Sequence, residues 1–303
     1  MSAFLANGTY TDIAKVEGGP TYKAYMLGSR EIQADIVSAQ YCPFSQRICQ
    51  HWPLKTVQTH NPLAPILGAL VAAAESTLET TIEHAAVSVY DKGTIESVLA
   101  KRDVHDALSA LGVDDHYRLD HTATLLAPAL GIRGNCSDPY ILPEDPAYHE
   151  DPDQLVFTIE YTRDSMTAGL WREDCGVMEM THRLNSAQLG HNAMQACRET
   201  AENRTICEEN FKSALRSVTE DRRRGKHEEV NSVLIFGERA DDDSMLVALR
   251  QVMGEQFPNG DSVDLSGVRS FSPDPAFAGS RATAQTVWAA QGSAYDVQFT
   301  DEL

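Results

Sequence analysis

The stretch LVFTIEYTRDSMTAGLW, Leu155–Trp171, constrains the fold more than any other part of the chain. Its apolar, β-branched and aromatic residues read as two short strands joined by a turn. Turns between strands usually carry Gly, Asn-Gly or Asp-Gly, which tolerate positive φ. This turn instead carries Tyr161, Thr162, Arg163, Asp164 and Ser165. Two readings stand open: the polar side chains are simply solvated, or they point into something.

Apolar periodicity and punctuation order the rest of the chain. A short strand is expected at Asp35–Ala39, then an irregular aromatic segment over Tyr41–His60. Leu63, Ile66, Leu67, Leu70, Val71, Ala74, Leu78 and Ile82 recur at three- and four-residue steps, the mark of one amphipathic helix. His84–Tyr90 reads as a buried strand, and Thr94–Leu111 as a helix stopped by Gly112. The HYRLD segment reads as a short strand and HTATLLAPALGI as a short helix. Gly134–Gln154, rich in Pro, Asp and Glu, is the natural linker. Beyond it come the two strands of the opening stretch and a third, GVMEMTH. Helices are expected over Ala187–Thr200 and Ile206–Val218, a solvated loop at Glu220–Glu229, and a strand at Ser232–Gly237. Asp242–Glu255 and Ala276–Ala290 read as the last helices, ahead of a frayed end. Strands feeding helices in both halves predict an α/β protein with two lobes.

Charge narrows the partners. The 303 residues carry a formal net charge of −19, which disfavours nucleic acid and anionic membrane surfaces. No basic, apolar leader is read at the start, and the apolar run around Leu63–Tyr90 is too interrupted to span a bilayer. The terminal TDEL resembles a retention tetrapeptide and is read as chance without a leader. Cys42, Cys49, Cys136, Cys175, Cys197 and Cys207 lack C-x-x-C spacing and read as reduced thiols of a cytoplasmic protein. The N-x-[ST] sequons at Asn7, Asn135 and Asn203 carry little weight there.

The order of pieces resembles a known family. AAVSVYDKGTIESVLAKRDVHDALSALGVDDHYRLDHTATLLAPALGI is similar to the strand, long helix, strand and EPTAAAIAYG segment of seventy-kilodalton (DnaK-type) heat-shock chaperones. SVLIFGERADDDSMLVALRQVMGEQF resembles that family's LVGGSTRIPKIQ element, and SPDPAFAGSRATAQ its NPDEAVAYGAAVQ. The opening stretch falls where the family has FDLGGGTFDVSIL, and NGTYTD resembles its DLGTTYS loop. The resemblance covers the nucleotide-binding half and implies a two-lobed actin-like ATPase fold with ribonuclease H-like lobes and a reduced small subdomain. It implies an N-terminal lobe over 1–150, a C-terminal lobe over 151–290 and a flexible tail over 291–303.

The resemblance also exposes departures. Thr162, Arg163 and Asp164 replace glycines of the second phosphate loop, whose N–H groups would approach phosphate oxygens. Glu160 stands at the loop aspartate, and Phe236-Gly237 at a glycine pair of the adenosine site. The aspartate of the first loop falls near Leu5 or Ala6. Weak or absent Mg-ATP binding is expected, with no cofactor: no P-loop, G-x-G-x-x-G or H-E-x-x-H occurs.

The resemblance places Glu160, Asp164 and His121 around the space once filled by phosphates, as candidate proton-transfer groups. Thr9, Tyr10, Thr11 and Asp12 of the first loop, with Tyr161, Thr162, Arg163, Glu238 and Arg239, are candidate substrate-binding residues in the cleft between lobes. Each has a plain structural alternative: an Arg–Asp pair closing a turn, a His capping a helix, a hairpin turn. Glu179, His182 and His191 are weak metal candidates, and no metal is expected. Cys42 and Cys49 beside Phe44 have no base tied to them and read as structural. Three functions remain: an enzyme performing non-redox acid/base chemistry (isomerisation, cyclisation or elimination) on a small organic substrate, a non-catalytic pseudo-ATPase that binds or regulates, and a divergent working ATPase. Oligomeric state and protein partners are not legible.

Overall fold

In a computed structural model, residues 1–5, 7–20, 22, 61–89, 94–115, 120–132, 154–174, 177–199, 201–221, 226–227, 230–256 and 272–298 are described. The strand expected at Asp35–Ala39, the Tyr41–His60 segment and nearly all of the Gly134–Gln154 linker lie outside them, as do Cys42, Phe44, Cys49, Cys136 and Cys175. The chain is α/β and divides into two compact units, one of Met1–Thr122 with Val287–Leu303, the other of Ala123–Thr286.

In the first unit, strands β1 (Ser2–Phe4) and β2 (Tyr10–Asp12) form an antiparallel hairpin. Helix α1 (Ala64–Leu78) starts with a proline in its first turn, where the missing N–H costs nothing. Helix α2 spans Thr94–Ala110, and Gly112 at φ 73° supplies the left-handed residue that ends it. Val71, Val104, Leu108 and Val113 form the core between the two helices, with Leu63, Leu67 and Ile82 packed against them. Strands β3 (Ser88–Val89) and β4 (Asp120–His121) pair in parallel. Over residues 84–89 the expected buried strand His84–Tyr90 is mostly irregular, with Tyr90 outside the described residues: His84 makes an isolated bridge to Asp114, and residues 85–88 are half-buried.

The second unit opens with helix α3 (Thr122–Ala129), which begins one residue before the boundary. It is built on strands β5 (Gln154–Tyr161), β6 (Met166–Asp174), β7 (Val177–Ser186) and β10 (Ser232–Phe236). The strand order is β10-β5-β6-β7, with β10 parallel to β5 and the other pairs antiparallel. Side chains alternate across the sheet, so Phe157, Ile159 and Tyr161 share one face with Met166, Ala168, Leu170, Val233 and Ile235. That face is covered by Met194 of helix α4 (His191–Cys197), Phe211 and Leu215 of α5 (Ala201–Thr219), and Met245 and Leu249 of α6 (Asp243–Gln256). Phe211 is 1% exposed, and truncating it to Ala removes about 3–5 kcal/mol of stability. The other face is buried as well, through Val156, Thr158, Thr167, Trp171, Leu234 and Phe236. Burial on both faces explains why β5 and β10 read as nearly continuous apolar runs.

Several local readings need correction. The helix expected over Ala187–Thr200 is a 3-10 turn, Ala187–Leu189, followed by the seven-residue α4, because Gly190 between them is extended, at φ −67° and ψ 159°. The expected loop at Glu220–Glu229 contains strands β8 (Glu220–Asp221) and β9 (Lys226–His227), paired antiparallel. Helix α7 (Ala278–Gln298) continues beyond Ala290. Cys197 and Cys207 are joined as a disulfide between α4 and α5, so these two are not reduced thiols. Within the described residues no helix is long and apolar enough to cross a membrane.

Candidate functional site: the polar turn and its supports

The turn between β5 and β6 closes on itself. Thr162 N–H donates to the Ser165 carbonyl at 3.0 Å, and Ser165 N–H donates to Thr162 Oγ1 at 3.1 Å. The Thr162 and Ser165 hydroxyls lie 3.1 Å apart. A hydroxyl at each end thus does what a glycine turn does with backbone alone.

Two neighbours hold this turn from outside. The first is the start of α4: His191 N–H donates to the Thr162 carbonyl at 3.0 Å and Asn192 N–H to the Arg163 carbonyl at 2.9 Å. Amides at a helix start have no partner inside the helix, and here the turn supplies them. Asn192 Nδ2 also donates to Asp164 Oδ1 at 3.3 Å. Gly190 permits the approach, since a Cβ there would collide with the backbone of Asp164 and Ser165. The second support is the segment after β10. Arg163 N–H donates to Glu238 Oε1 at 2.9 Å, and Arg163 Nε lies 3.4 Å from Glu238 Oε2. Arg239 N–H donates to the Tyr161 carbonyl at 3.0 Å. Gly237 sits between at φ 103°, where a Cβ would stand 2.6 Å from the Tyr161 oxygen. A glycine is required there by conformation and by space.

The named candidates separate as follows. Tyr161, Thr162, Arg163, Asp164, Glu238 and Arg239 are brought together around the turn by the contacts above. Tyr161 is 1% exposed and belongs to the core; its ring meets His191 and Phe211 edge to face. Burial first, then the Asp242 carboxylate, push its phenol above the usual range. Asp164 is exposed and anchored to Asn192. Glu160 lies on the opposite sheet face from Tyr161, across from Thr167 on β6 and Phe236 on β10. The residue as a whole is half-buried, yet its carboxyl is packed round by protein, and that burial pushes it up to about 7. Glu160 thus lies on a strand with its carboxyl packed round by protein, whereas Asp164 is exposed in the turn beyond that strand.

His121 and Thr9–Asp12 belong to the first unit. His121 is the last residue of β4, paired with Val89, directly before α3. Thr9 is the last residue before β2 and is held by Asn7, which accepts from both its N–H and its hydroxyl. Tyr10, Thr11 and Asp12 are β2 itself: the Tyr10 ring packs on Phe4, and Asp12 accepts from the Ser2 hydroxyl at 2.9 Å. The segment is a strand hairpin.

Sequence reasoning missed a polar chain beneath the turn. His191 Nδ1 lies 2.9 Å from Asp242 Oδ2, with both side chains mostly buried. Asp242 Oδ1 accepts from the Ser244 hydroxyl at 2.5 Å and from Met245 N–H at 2.9 Å, capping α6. Arg198, just past α4, donates to the Ser244 hydroxyl at 2.5 Å. Burial pushes the Asp242 carboxyl up, but the Ser244, Met245 and His191 donors outweigh it and hold it below the usual aspartate value. The ADDDSMLV pattern carried the signal for the cap; nothing local announced His191 as its partner.

The weak metal candidates disperse. His182 Nδ1 lies 3.3 Å from Thr181 Oγ1, Glu179 sits opposite Arg172 across the β6–β7 ladder, and His191 is engaged by Asp242. No group of three His, Cys, Asp or Glu side chains placed to hold a metal occurs among the described residues. No protein-family model matches this chain, and no curated protein matches it significantly.

Proposed function

We propose that this chain is a divergent, heat-shock-chaperone-like protein of actin-like ancestry that no longer uses Mg-ATP and acts as a binding or regulatory protein. Its ligand is a small organic molecule, and its setting is the cytoplasm. One observation carries the reading: the amides of Thr162, Arg163 and Ser165 in the turn are already occupied by protein acceptors. In a phosphate loop such N–H groups face phosphate oxygens. Here Thr162 donates to a carbonyl, Ser165 to a hydroxyl, and Arg163 to the Glu238 carboxylate. A built-in anion already stands at the turn, and an incoming phosphate would meet it as a like charge. Calorimetry with Mg-ATP and Mg-ADP tests this. We expect no binding tighter than about 1 mM, whereas micromolar affinity, about −8 kcal/mol, sinks the reading and revives the ATPase.

One observation favours a second reading, a cofactor-independent isomerase, cyclase or lyase. Glu160 precedes the turn with a carboxyl pushed up to about 7, the range in which a carboxylic acid donates or accepts a proton at neutral pH. Under this reading Glu160 is the acid/base group, with Asp164 and His121 as further candidates. The check is to recover any ligand that co-purifies with the protein, by mass spectrometry, and follow its conversion. Glu160→Gln should slow that conversion by about 10²–10⁴-fold while leaving the fold intact; an unchanged rate removes Glu160 from the chemistry.

A further inference from the structure

Helix α4 joins two features that no reading above connects. Its first residues hold the polar turn, through His191 N–H on Thr162 and Asn192 N–H on Arg163. Its last residue is Cys197, disulfide-bonded to Cys207 of α5. Seven residues are too few to form a stable helix alone, so α4 depends on its anchors: Met194 in the core, His191 on Asp242, the turn at its start and the disulfide at its end. Gly190 packs against the backbone of Asp164 and Ser165 without room for a methyl group, so the start of α4 and the turn move together.

The two cysteines differ in exposure. Cys197 is exposed, whereas Cys207 is 2% exposed and part of the core. Exposed disulfides are the reducible ones, and the sulfur that solvent reaches is the one an incoming thiolate attacks. The cysteines are ten positions apart in the chain, so the bond closes only the local α4–α5 connection. Opening it leaves Phe211 and Leu215 in place against the sheet.

We propose that the Cys197–Cys207 disulfide is a redox switch for the 162–165 turn: oxidised, it pins α4 and the turn is ordered; reduced by a dithiol, α4 loosens and the turn is released. The reaction balances as follows. A thiolate of the dithiol attacks Sγ of Cys197, forming a mixed disulfide and expelling Cys207 as a thiolate, which takes up a proton. The second thiol of the reagent then attacks its own sulfur in the mixed disulfide and displaces Cys197, which is likewise protonated. The reagent leaves as its cyclic disulfide, having given two electrons to the cysteine pair, and a disulfide oxidant reverses the process. The switch does not depend on what the turn binds, so it stands or falls separately from the function proposed above.

The test is hydrogen exchange read by mass spectrometry on the full chain, air-oxidised and in excess dithiothreitol, with Cys197→Ser as a reduced mimic at an exposed site. Peptides covering 162–165 and 191–198 should exchange at least about tenfold faster on reduction, and faster to a like degree in Cys197→Ser without reductant, while those from β5 and the second half of α5 keep their protection. Unchanged exchange at 162–165 on reduction overturns the proposal. So does loss of protection throughout the second unit, which makes the bond a staple for the whole fold. Thiol titration that finds both cysteines free in the oxidised protein overturns it too. Should Cys197→Ser fail to fold, the dithiothreitol comparison decides alone.

Discussion

Arg163 donates its backbone N–H to one oxygen of Glu238 at 2.9 Å and holds its Nε 3.4 Å from the other, across 75 positions of sequence. One carboxylate thereby fixes both the turn after β5 and the segment after β10. The side-chain half of this contact is partly solvated, so its ionic share is small, about 0–1 kcal/mol. The bond to the backbone amide is the stronger anchor, because it removes an N–H group from competition.

Glu238→Ala is accordingly expected to cost about 1 kcal/mol in urea unfolding, with the turn amides exchanging faster. Glu238→Gln keeps an acceptor for Arg163 N–H and should cost less. Equal losses for the two would show that charge, not the amide bond, is what matters.

Two glycine substitutions should move stability in opposite directions. Gly237→Ala forces a Cβ onto a φ of 103° and to within 2.6 Å of the Tyr161 carbonyl oxygen, so a loss of at least about 1–3 kcal/mol is expected. Gly254→Ala, inside α6 with nothing near its Cβ, should instead gain about 1 kcal/mol from helix propensity. Thermal melts of both variants beside the parent decide the matter, and a Gly237→Ala protein of parental stability would contradict the close approach.

Glu160 gives a pH signature of unusual sign. Its carboxyl is raised from 4.5 to about 7 in the folded chain, so between these values the folded state holds a proton that the unfolded state has released. Stability from this group is complete below pH 4.5 and falls as pH rises toward 7, by something of the order of 3 kcal/mol. Glu160→Gln removes that titration. Unfolding free energies measured from pH 5 to 8 should slope downward more steeply in the parent than in Glu160→Gln, and parallel slopes would rule out the raised value.

Asp242 behaves the other way. Its carboxyl is held below the ordinary 3.8, so its contribution is present above that value and is lost as pH falls through the lower folded one. Asp242→Asn keeps an acceptor for Met245 N–H but removes the charge facing His191, and about 1–3 kcal/mol should be lost at pH 7. The gap between variant and parent should narrow at pH 3. A gap that is constant with pH would mean that only the cap, not the ionised carboxylate, was being measured.

The sequence by itself determined whatever depends on neighbours a few positions apart. The alternation of Phe157, Ile159 and Tyr161 specifies a strand, and the steps from Leu63 to Leu78 specify a helix. The same local signals marked the polar turn as unusual. What the turn is for depended on partners that no spacing predicts. Parallel pairing of β10 with β5 carries Gly237 and Glu238 to Tyr161 and Arg163, and the fit of Gly190 on the Asp164–Ser165 backbone brings the start of α4 to the turn. Only packing on the shared sheet face brings His191 to Asp242 and Cys197 to Cys207. Periodicity and capping are energies of one turn of chain, whereas a partner is chosen by which distant segments the buried sheet holds side by side.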